Sequence, residues 1–522
     1  MSGRLVEVAE DSVRGGFFLF AGNASQLVVL AIASIVIARL LGPEDYGLYS
    51  LSLVVPSILA GLVDFGIGPA LIRFLAKFRS EGETWSVAST LKLGFLFKLA
   101  AGVLMSLICL LLSDAIATYA LNRPGIGLFI RLTSLLILFS SIVEILGSSF
   151  IGLDRMENYA FMANIQAFAK LLISPLLIIL GFSVLGALTG HVVSYFIAGL
   201  MGGVILIRYY RGLDSSSGKA SLISLKAMMG YGLPLYASAL LNLLLAQYRI
   251  LILAFFASNA EIGNFNVASG LASTVNVLVF PLTALFPAFS KLNVNGDELR
   301  RAFTLSVKYS ALFVIPAAIA VSILSKDLVY TFYGRSYNLA PLFLSLYALT
   351  FLYVGLGSAV FTYLFSGIGR TSVILKLNLI SLLTFSPMAP VFVRAYGVPG
   401  LIVVLLVSGA FPLTYALHFA IRRLKLSIDF KASLRIYSAS LLSALPLLTL
   451  LNTLPLNHIL NLVIGCPLFL LAYLTFAPLL GAITSSDLEN LKLMFSGIKT
   501  LWPLAKPVLT YEARLLSIMR RG

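Results

Sequence analysis

The sequence predicts an all-α protein that crosses a membrane many times, and three observations carry that prediction. Hydrophobic residues make up 59% of the 522 and charged residues 11%, against roughly 25% charged in soluble globular proteins. With a mean hydropathy of +0.99, lipid has to be the solvent. The apolar runs are about 20 residues or longer, the length of a spanning helix, whereas barrel strands would alternate over segments of about 10. A backbone in hydrocarbon must satisfy its own hydrogen bonds, which leaves helices or a closed barrel. Finally, the chain repeats itself. Leu41-Gly42-Pro43-Glu44-Asp45-Tyr46-Gly47-Leu48-Tyr49 returns in degraded form about 216 residues later, where Gly263 matches Gly47 and Phe265 matches Tyr49. The register holds for Phe150-Ile151-Gly152-Leu153-Asp154-Arg155 against Phe365-Ser366-Gly367-Ile368-Gly369-Arg370, and for Ser183-Val184-Leu185-Gly186 against Gly397-Val398-Pro399-Gly400. A membrane chain made of two copies of one helical block is the usual build of a transporter.

Taken in order, the apolar runs predict about 14 spans. They lie near 16–41, 47–76, 86–112, 126–151, 158–181, 184–207, 229–255, 263–290, 301–325, 339–366, 371–393, 397–421, 434–455 and 457–482. Cationic residues sort by side. Alternate loops hold Arg73, Lys77 and Arg79; Arg155; Arg208, Arg211, Lys219 and Lys226; Lys291, Arg300 and Arg301; Arg370; and Arg422, Arg423, Lys425, Lys431 and Arg435. The opposite loops hold chiefly Arg123, Lys326, Arg335 and Arg394. The positive-inside rule then puts both termini in the cytoplasm, as an even span count requires.

Six spans per copy give the two copies one topology, related by an axis along the membrane normal. The expected organisation is an N-terminal six-helix lobe over 1–210, a linker over 211–228 containing Ser215-Ser216-Ser217-Gly218, and a second six-helix lobe over 229–425. An accessory helix pair, spans 13 and 14, follows over 426–482. The tail 483–522 reads as a basic amphipathic segment on the inner leaflet or as a partly disordered one.

The formal net charge of +16 belongs to loops facing an anionic leaflet rather than to a nucleic-acid site, because no basic domain stands outside the apolar runs. Cys109 and Cys466 lie in separate runs and predict neither disulfide nor metal. His191, His418 and His458 are isolated on different spans without ligand spacing, and read as helix-packing residues. No Gly-x-x-x-x-Gly-Lys-Ser/Thr loop is present, so no cofactor or direct nucleotide drive is expected. No cleavable signal is evident.

The Leu-Gly-Pro-Glu-Asp-Tyr-Gly-Leu-Tyr stretch at 41–49 resembles the hallmark of the polysaccharide flippase family, within the multidrug/oligosaccharidyl-lipid/polysaccharide exporter superfamily. That family often carries an acidic-basic pair in its seventh span, followed by a Gly-aromatic motif. Here the span has Tyr248-Arg249 and then Gly263-Asn264-Phe265, keeping the basic half and lacking the acidic one. The resemblance covers roughly residues 10–425. It implies two six-helix lobes in a V around a cavity lined by spans 1, 2, 7 and 8, and movement of a lipid-linked sugar from the inner to the outer leaflet.

Charge in hydrocarbon costs about 3 kcal/mol or more, so each intramembrane ion needs a partner or a hydrated cavity. Ser50, Ser57 and Asp64 are spaced to share one face of span 2; Asp64 is either a coupling site or half of a structural ion pair. Span 5 carries Gln166, Lys170 and Ser174 as a stripe. Lys98 sits inside span 3, and Glu144 lies in span 4 among Ser140, Ser141 and Ser148. Glu144 is expected to pair with Lys98 or Lys170. The positions matching Asp64, Glu144 and Lys170 in the second copy are Phe280, Ser358 and about Thr384, so the first copy holds most of the buried charge. Ser238, Asn242 and Arg249 share a broad face of span 7; Asn266, Ser273 and Asn276 lie on span 8, and Asn23 and Gln26 on span 1. Amides can hold sugar hydroxyls or simply glue helices together. The planar guanidinium of Arg249 suits phosphate.

These readings make Arg249, Lys170, Asn242, Lys98, Asn276, Asn23 and Gln26 the candidate substrate-binding residues, and Asp64 and Glu144 the candidate ion-coupling residues. The expected protein is not an enzyme. It is a monomeric multi-pass flippase of the plasma membrane, working on a lipid-linked oligosaccharide by alternating access beside membrane lipids and glycan-assembly enzymes. One rival is a small-molecule or drug antiporter of the same superfamily, whose site would be acidic and aromatic. A remoter rival is an integral-membrane glycosyltransferase, for which the short outer loops offer only Glu44-Asp45 and scattered acids.

Overall fold

The computed structural model describes residues 3–211, 224–275, 289–290, 292, 296–496 and 502–519. Among them there is helix and no strand. Among the described residues, nine helices are long and apolar enough to cross a membrane, or ten if the bent pair Ala340–Leu356 and Ser358–Gly367 is one crossing. Three of the nine apolar stretches, Leu19–Leu62, Met156–Arg211 and Thr371–Leu424, run for 44, 56 and 54 residues. At 1.5 Å per residue each is over twice the ~30 Å hydrocarbon thickness. Each is broken once by a positive-φ glycine: Gly42 (φ 74°), Gly181 (φ 95°) and Gly397 (φ 59°). The expected total of fourteen is therefore not fixed by the described residues, and residues 276–288 of the expected span 263–290 lie outside them.

The chain divides into two compact units, Met1–Gly263 and Asn264–Gly522. The first holds α1 (Gly3–Leu62), α2 (Ile67–Glu81), α3 (Thr84–Leu111), α4 (Gly127–Gly152), α5 (Met156–Leu177), α6 (Ser183–Arg211), α7 (Leu225–Phe256) and the first turn of α8 (Asn259–Ser273). Its core joins Ile67, Leu71 and Leu75 of α2 to Val87 and Leu91 of α3, Ile145 of α4 and Met228 of α7. The centre of the expected linker, 212–223, lies outside the described residues.

Close approach within this unit depends on glycine. A Cβ on Gly22 would stand 2.4 Å from that of Ala160, so α1 and α5 touch there. The Asn164 amide crosses the same contact to the Gly22 carbonyl at 3.1 Å. A Cβ on Gly66 would lie 2.2 Å from the Gly232 carbonyl carbon, and one on Gly47 would lie 1.9 Å from the Asn259 carbonyl oxygen. Gly263, the repeat partner of Gly47, returns the contact: its Cβ would lie 2.0 Å from the Pro43 carbonyl oxygen.

The second unit holds the rest of α8, then α9 (Asp297–Ile323), α10 (Ser325–Phe332), α11 (Ala340–Ala348), α12 (Ser358–Gly367), α13 (Thr371–Leu424), α14 (Phe430–Thr453), α15 (His458–Leu479), α16 (Ser485–Ser496) and α17 (Trp502–Met519). One core packs Phe303, Phe361, Phe365 and Leu413; another joins Leu312 and Ile315 to Ile436, Phe469 and Leu488. Asn264 fastens the start of α11 by accepting from the Leu339 and Ala340 amides at 3.1 and 2.8 Å.

The repeat is legible in backbone as well as in letters. Asp154 (φ 58°) and its match Gly369 (φ 73°) both end a helix in the left-handed region. In both copies the residue that follows bonds back five positions, Arg155 N–H to Phe150 and Arg370 N–H to Phe365. That is a left-handed helix stop built twice. Ser183 (φ 44°, ψ −128°) and Gly397 (φ 59°, ψ −140°) likewise repeat one unusual backbone geometry. A serine held there is strained.

Candidate functional site

One sequence expectation changes at the end of α1. Ser50, Ser57 and Asp64 do not share a helical face, because the helix stops at Leu62. Phe65 (φ 43°) and Gly66 (φ 80°) turn the chain, and α2 starts at Ile67. The Asp64 carboxylate accepts from the Gly66 and Gly68 amides at 3.2 and 3.1 Å. A carboxylate at a helix N-terminus satisfies open amides and meets the positive end of the dipole. The break places Asp64 opposite Lys98 of α3.

Lys98 lies between two acids. Its Nζ is 2.7 Å from Asp64 Oδ1 and 2.7 Å from Glu144 Oε2 on α4. The ammonium is 1% exposed and Asp64 11%, whereas Glu144 is 50% exposed. Two carboxylates on one ammonium leave a formal excess of one negative charge, at the accessible end of the cluster. Small residues bring the helices together here. Gly94, four residues before Lys98, sits against Leu71 and Ile145, and Gly102, four residues after, sits against Ser141. Of the two cations expected near Glu144, Lys98 is the one bonded to it. So buried and doubly paired, Lys98 is positioned to hold Glu144 rather than to reach a sugar.

Lys170 of α5 stands apart. Its Nζ is 6.0 Å from the centroid of the Tyr49 ring, within cation–π range. Tyr49 is the last residue of the motif, and it belongs to a run of four rings. Tyr46 and Tyr49 of α1 stack at 5.8 Å, Tyr49 and His191 at 6.2 Å, and His191 and Tyr195 of α6 at 5.7 Å. Tyr49 Oη and His191 Nδ1 share a hydrogen bond of 2.9 Å, and Ser34 fixes Tyr46 at 2.9 Å. The other members of the Lys170 stripe are tied to α6: Gln166 donates to Ser194 at 3.1 Å and Ser174 to the Ala187 carbonyl at 3.0 Å. They glue the two helices; Lys170, half-buried between them, meets the rings.

Spacing along the sequence leaves His191 isolated, whereas the structure places it between Tyr49 and Tyr195 in this run. The signal was available: Tyr46 and Tyr49 at i, i+3, and His191 and Tyr195 at i, i+4, put each pair on one helix face. What spacing lacked was the pairing of α1 with α6.

The other candidates are more dispersed. Asn23 and Gln26 are half-buried on α1, Arg249 is half-buried on α7, and Asn242 is exposed on α7. Asn276 lies outside the described residues. At the tip of the motif the Arg123 guanidinium donates to Asn259 Oδ1 at 2.8 Å and to the carbonyls of Ala254 and Ala257 at 3.0 and 2.6 Å. Asn259 also reaches Glu44 at 3.3 Å. Glu44, one of the two acids of the motif, therefore holds a helix end. No group of three or more His, Cys, Asp or Glu side chains able to hold a metal occurs among the described residues.

Comparison with known proteins places this architecture. The chain is 25% identical over 370 residues to the lipopolysaccharide biosynthesis protein WzxC of Escherichia coli (strain K12), covering 67% of this chain and 69% of that protein. It superposes on the lipid II flippase MurJ in an inward closed conformation with a TM-score of 0.71 at 14% identity, covering 89% of this chain and 98% of that one. An inward-facing multidrug resistance MATE family transporter of the MOP superfamily superposes with a TM-score of 0.64 at 19% identity, covering 76% and 95%. At those identities the likeness is one of fold. Residues 36–341, more than half of the chain and inclusive of the motif, the ion cluster and the ring run, match the polysaccharide biosynthesis protein family, and this protein is a multi-pass helical membrane member of it.

Proposed function

We propose that this protein is a flippase that carries an anionic lipid-linked oligosaccharide from the inner to the outer leaflet by alternating access. The observation that carries the reading is Lys170 standing over the Tyr49 ring in the run of four rings. Aromatic faces suit the C–H faces of sugars, and a half-buried ammonium suits a phosphate oxygen, worth more away from water than in it. Family membership and the names of the relatives, a lipopolysaccharide biosynthesis protein and a lipid II flippase, point the same way. Arg249, Asn242, Asn23 and Gln26 are the further residues we assign to the head group and glycan.

Asp64, Lys98 and Glu144 are proposed to couple the cycle to a cation or proton. Neutralising the excess carboxylate changes the energy of whichever state exposes Glu144, and only such a difference between states can drive a cycle. The same negative excess also favours a second reading, antiport of an organic cation.

In this reading both termini are cytoplasmic, the protein sits in the plasma membrane beside glycan-assembly enzymes, and it works as a monomer. Translocation of a fluorescent lipid-linked oligosaccharide in proteoliposomes tests the substrate. Lys170→Ala and Arg249→Ala are each expected to slow the initial rate by about tenfold, roughly 1.4 kcal/mol of lost stabilisation. Export of organic cations with no translocation of any anionic glycolipid would establish the antiport reading instead.

A further inference from the structure

The second unit holds a cavity that the proposed transport cycle does not use. It measures about 440 Å³ and is bounded by α9, α15, α16 and α17, through residues that include Pro316, Phe469, Tyr473, Phe495 and Leu509. Its size falls in the ordinary range for small-molecule sites. The walls are almost wholly apolar, with one exception. Ala505, Val508, Leu509 and Glu512 all line the cavity from α17, a spacing that puts them on one helical face, and the last is a carboxylate. Glu512 is 2% exposed, and its Oε1 is buried without a hydrogen-bond partner.

The neighbouring charges do not serve it. Lys308 of α9 gives its ammonium to Asp487 of α16 at 2.6 Å. Asp487 also accepts from the Thr484 amide and hydroxyl at 2.8 and 2.5 Å. Tyr309 accepts from Asn490 at 3.0 Å, and Tyr473 donates to the Leu312 carbonyl at 2.9 Å. Buried polar atoms are normally satisfied, and one left over in a wall points to an absent partner.

We propose that this cavity binds a lipophilic monoamine, its apolar body against the α9 and α15 walls and its ammonium donating to Glu512 Oε1. A plain hydrocarbon or acyl chain would fill the space but leave that oxygen unsatisfied. A fatty acid would bring a third acid beside Glu512 and Asp487, and an aminophospholipid would bring its phosphate to the same place. A hydrophilic cation would forfeit the apolar walls.

Binding of dodecylamine to the full-length protein in phosphatidylcholine nanodiscs tests this, with dodecanol and dodecanoate as competitors. Saturable binding at one amine per protein is expected, about tenfold tighter than dodecanol, a difference of one charge-assisted hydrogen bond. Glu512→Gln should erase that preference without weakening dodecanol, and Leu509→Trp, which fills the cavity, should weaken both. Burial, and after it the charge of Asp487, push the Glu512 carboxyl up to about 7. Amine binding to the unaltered protein should therefore strengthen as pH rises from 6 to 8, while the alkylammonium stays charged. Dodecanol binding as tightly as the amine, non-saturable partitioning, or equal amine affinity in Glu512→Gln would overturn the proposal. The amine-to-alcohol ratio in the unaltered protein decides the matter even if a variant misfolds.

Discussion

The two units each bury a lysine against acid, and they do it in opposite ways. In the second unit Lys308 and Asp487 form a one-to-one pair, 13% and 3% exposed; Thr484 donates to the same carboxylate oxygen as Lys308, and the Tyr309 hydroxyl reaches the other at 3.4 Å. Such a pair is a lock: neutral and closed. In the first unit Lys98 serves two acids, and one of them, Glu144, is half exposed. That cluster is unbalanced and open on one side. The repeat sharpens the contrast, since the second copy replaces Glu144 with Ser358 and Lys170 with Thr384, whose hydroxyl merely bonds back to Ile380 at 2.8 Å. The buried lysine pair of the second unit fastens α16 to α9, while the cluster of the first leaves one carboxylate exposed.

The contrast breaks most visibly through stability. Lys308→Met leaves Asp487 buried without its cation and should cost about 3–5 kcal/mol. Lys98→Met should cost less, about 1–3 kcal/mol, because the exposed Glu144 can turn away while Asp64 keeps its two backbone amides. Thermal melts of the two variants in one detergent compare them directly; equal losses would erase the distinction between lock and open cluster.

Next in size is Gly66→Ala. The left-handed backbone at φ 80° and a Cβ 2.2 Å from the Gly232 carbonyl carbon should cost about 2 kcal/mol or more. The change displaces Asp64 from the amides it caps, so the melt should fall together with any ion dependence of transport. A variant that melts low yet keeps its ion dependence would show that the helix break does not set the cluster.

The smallest expected effect is local to α17. Glu512 is pushed up to about 7 from an ordinary 4.5, so its neutral form favours the docked helix. That contribution is complete below about pH 4.5 and is lost as pH rises through 7. Asp487 runs the other way. Burial would raise its pKa, but Lys308 and Thr484 outweigh burial and hold it below the usual carboxylate range. Its contribution is present above about pH 4 and fails only in stronger acid. Hydrogen exchange of α17 amides, corrected for intrinsic rates, should show more protection at pH 6 than at pH 8, and no such difference in Glu512→Gln.

Much of this fold could be read from the letters. Apolar runs gave helix positions to within a few residues for α3, α4, α6, α9, α14 and α15, because a ~30 Å slab of hydrocarbon imposes length as well as composition. The repeat register carried over to the backbone at Asp154 and Gly369 and at Ser183 and Gly397. The helix break at 63–66 was not anticipated, since Asp64-Phe65-Gly66 interrupts an otherwise apolar run that reads as one span. An acid two residues before a glycine is the local sign of a stop and a new N-terminus. The partner choice at Glu144 and the four-ring run were out of reach for another reason. Both depend on which helices lie side by side, and periodicity along one helix reports a face without saying what covers it.

Under the proposed function, transport depends on the open cluster of the first unit and not on the closed pair of the second. Initial rates of anionic glycolipid translocation, per folded protein, would test it in two double variants: Lys98→Met with Glu144→Gln, and Lys308→Met with Asp487→Asn. Loss of about tenfold or more in the first, with the second within about twofold of the unaltered protein, is the predicted result. The reverse order, or equal losses, would contradict it.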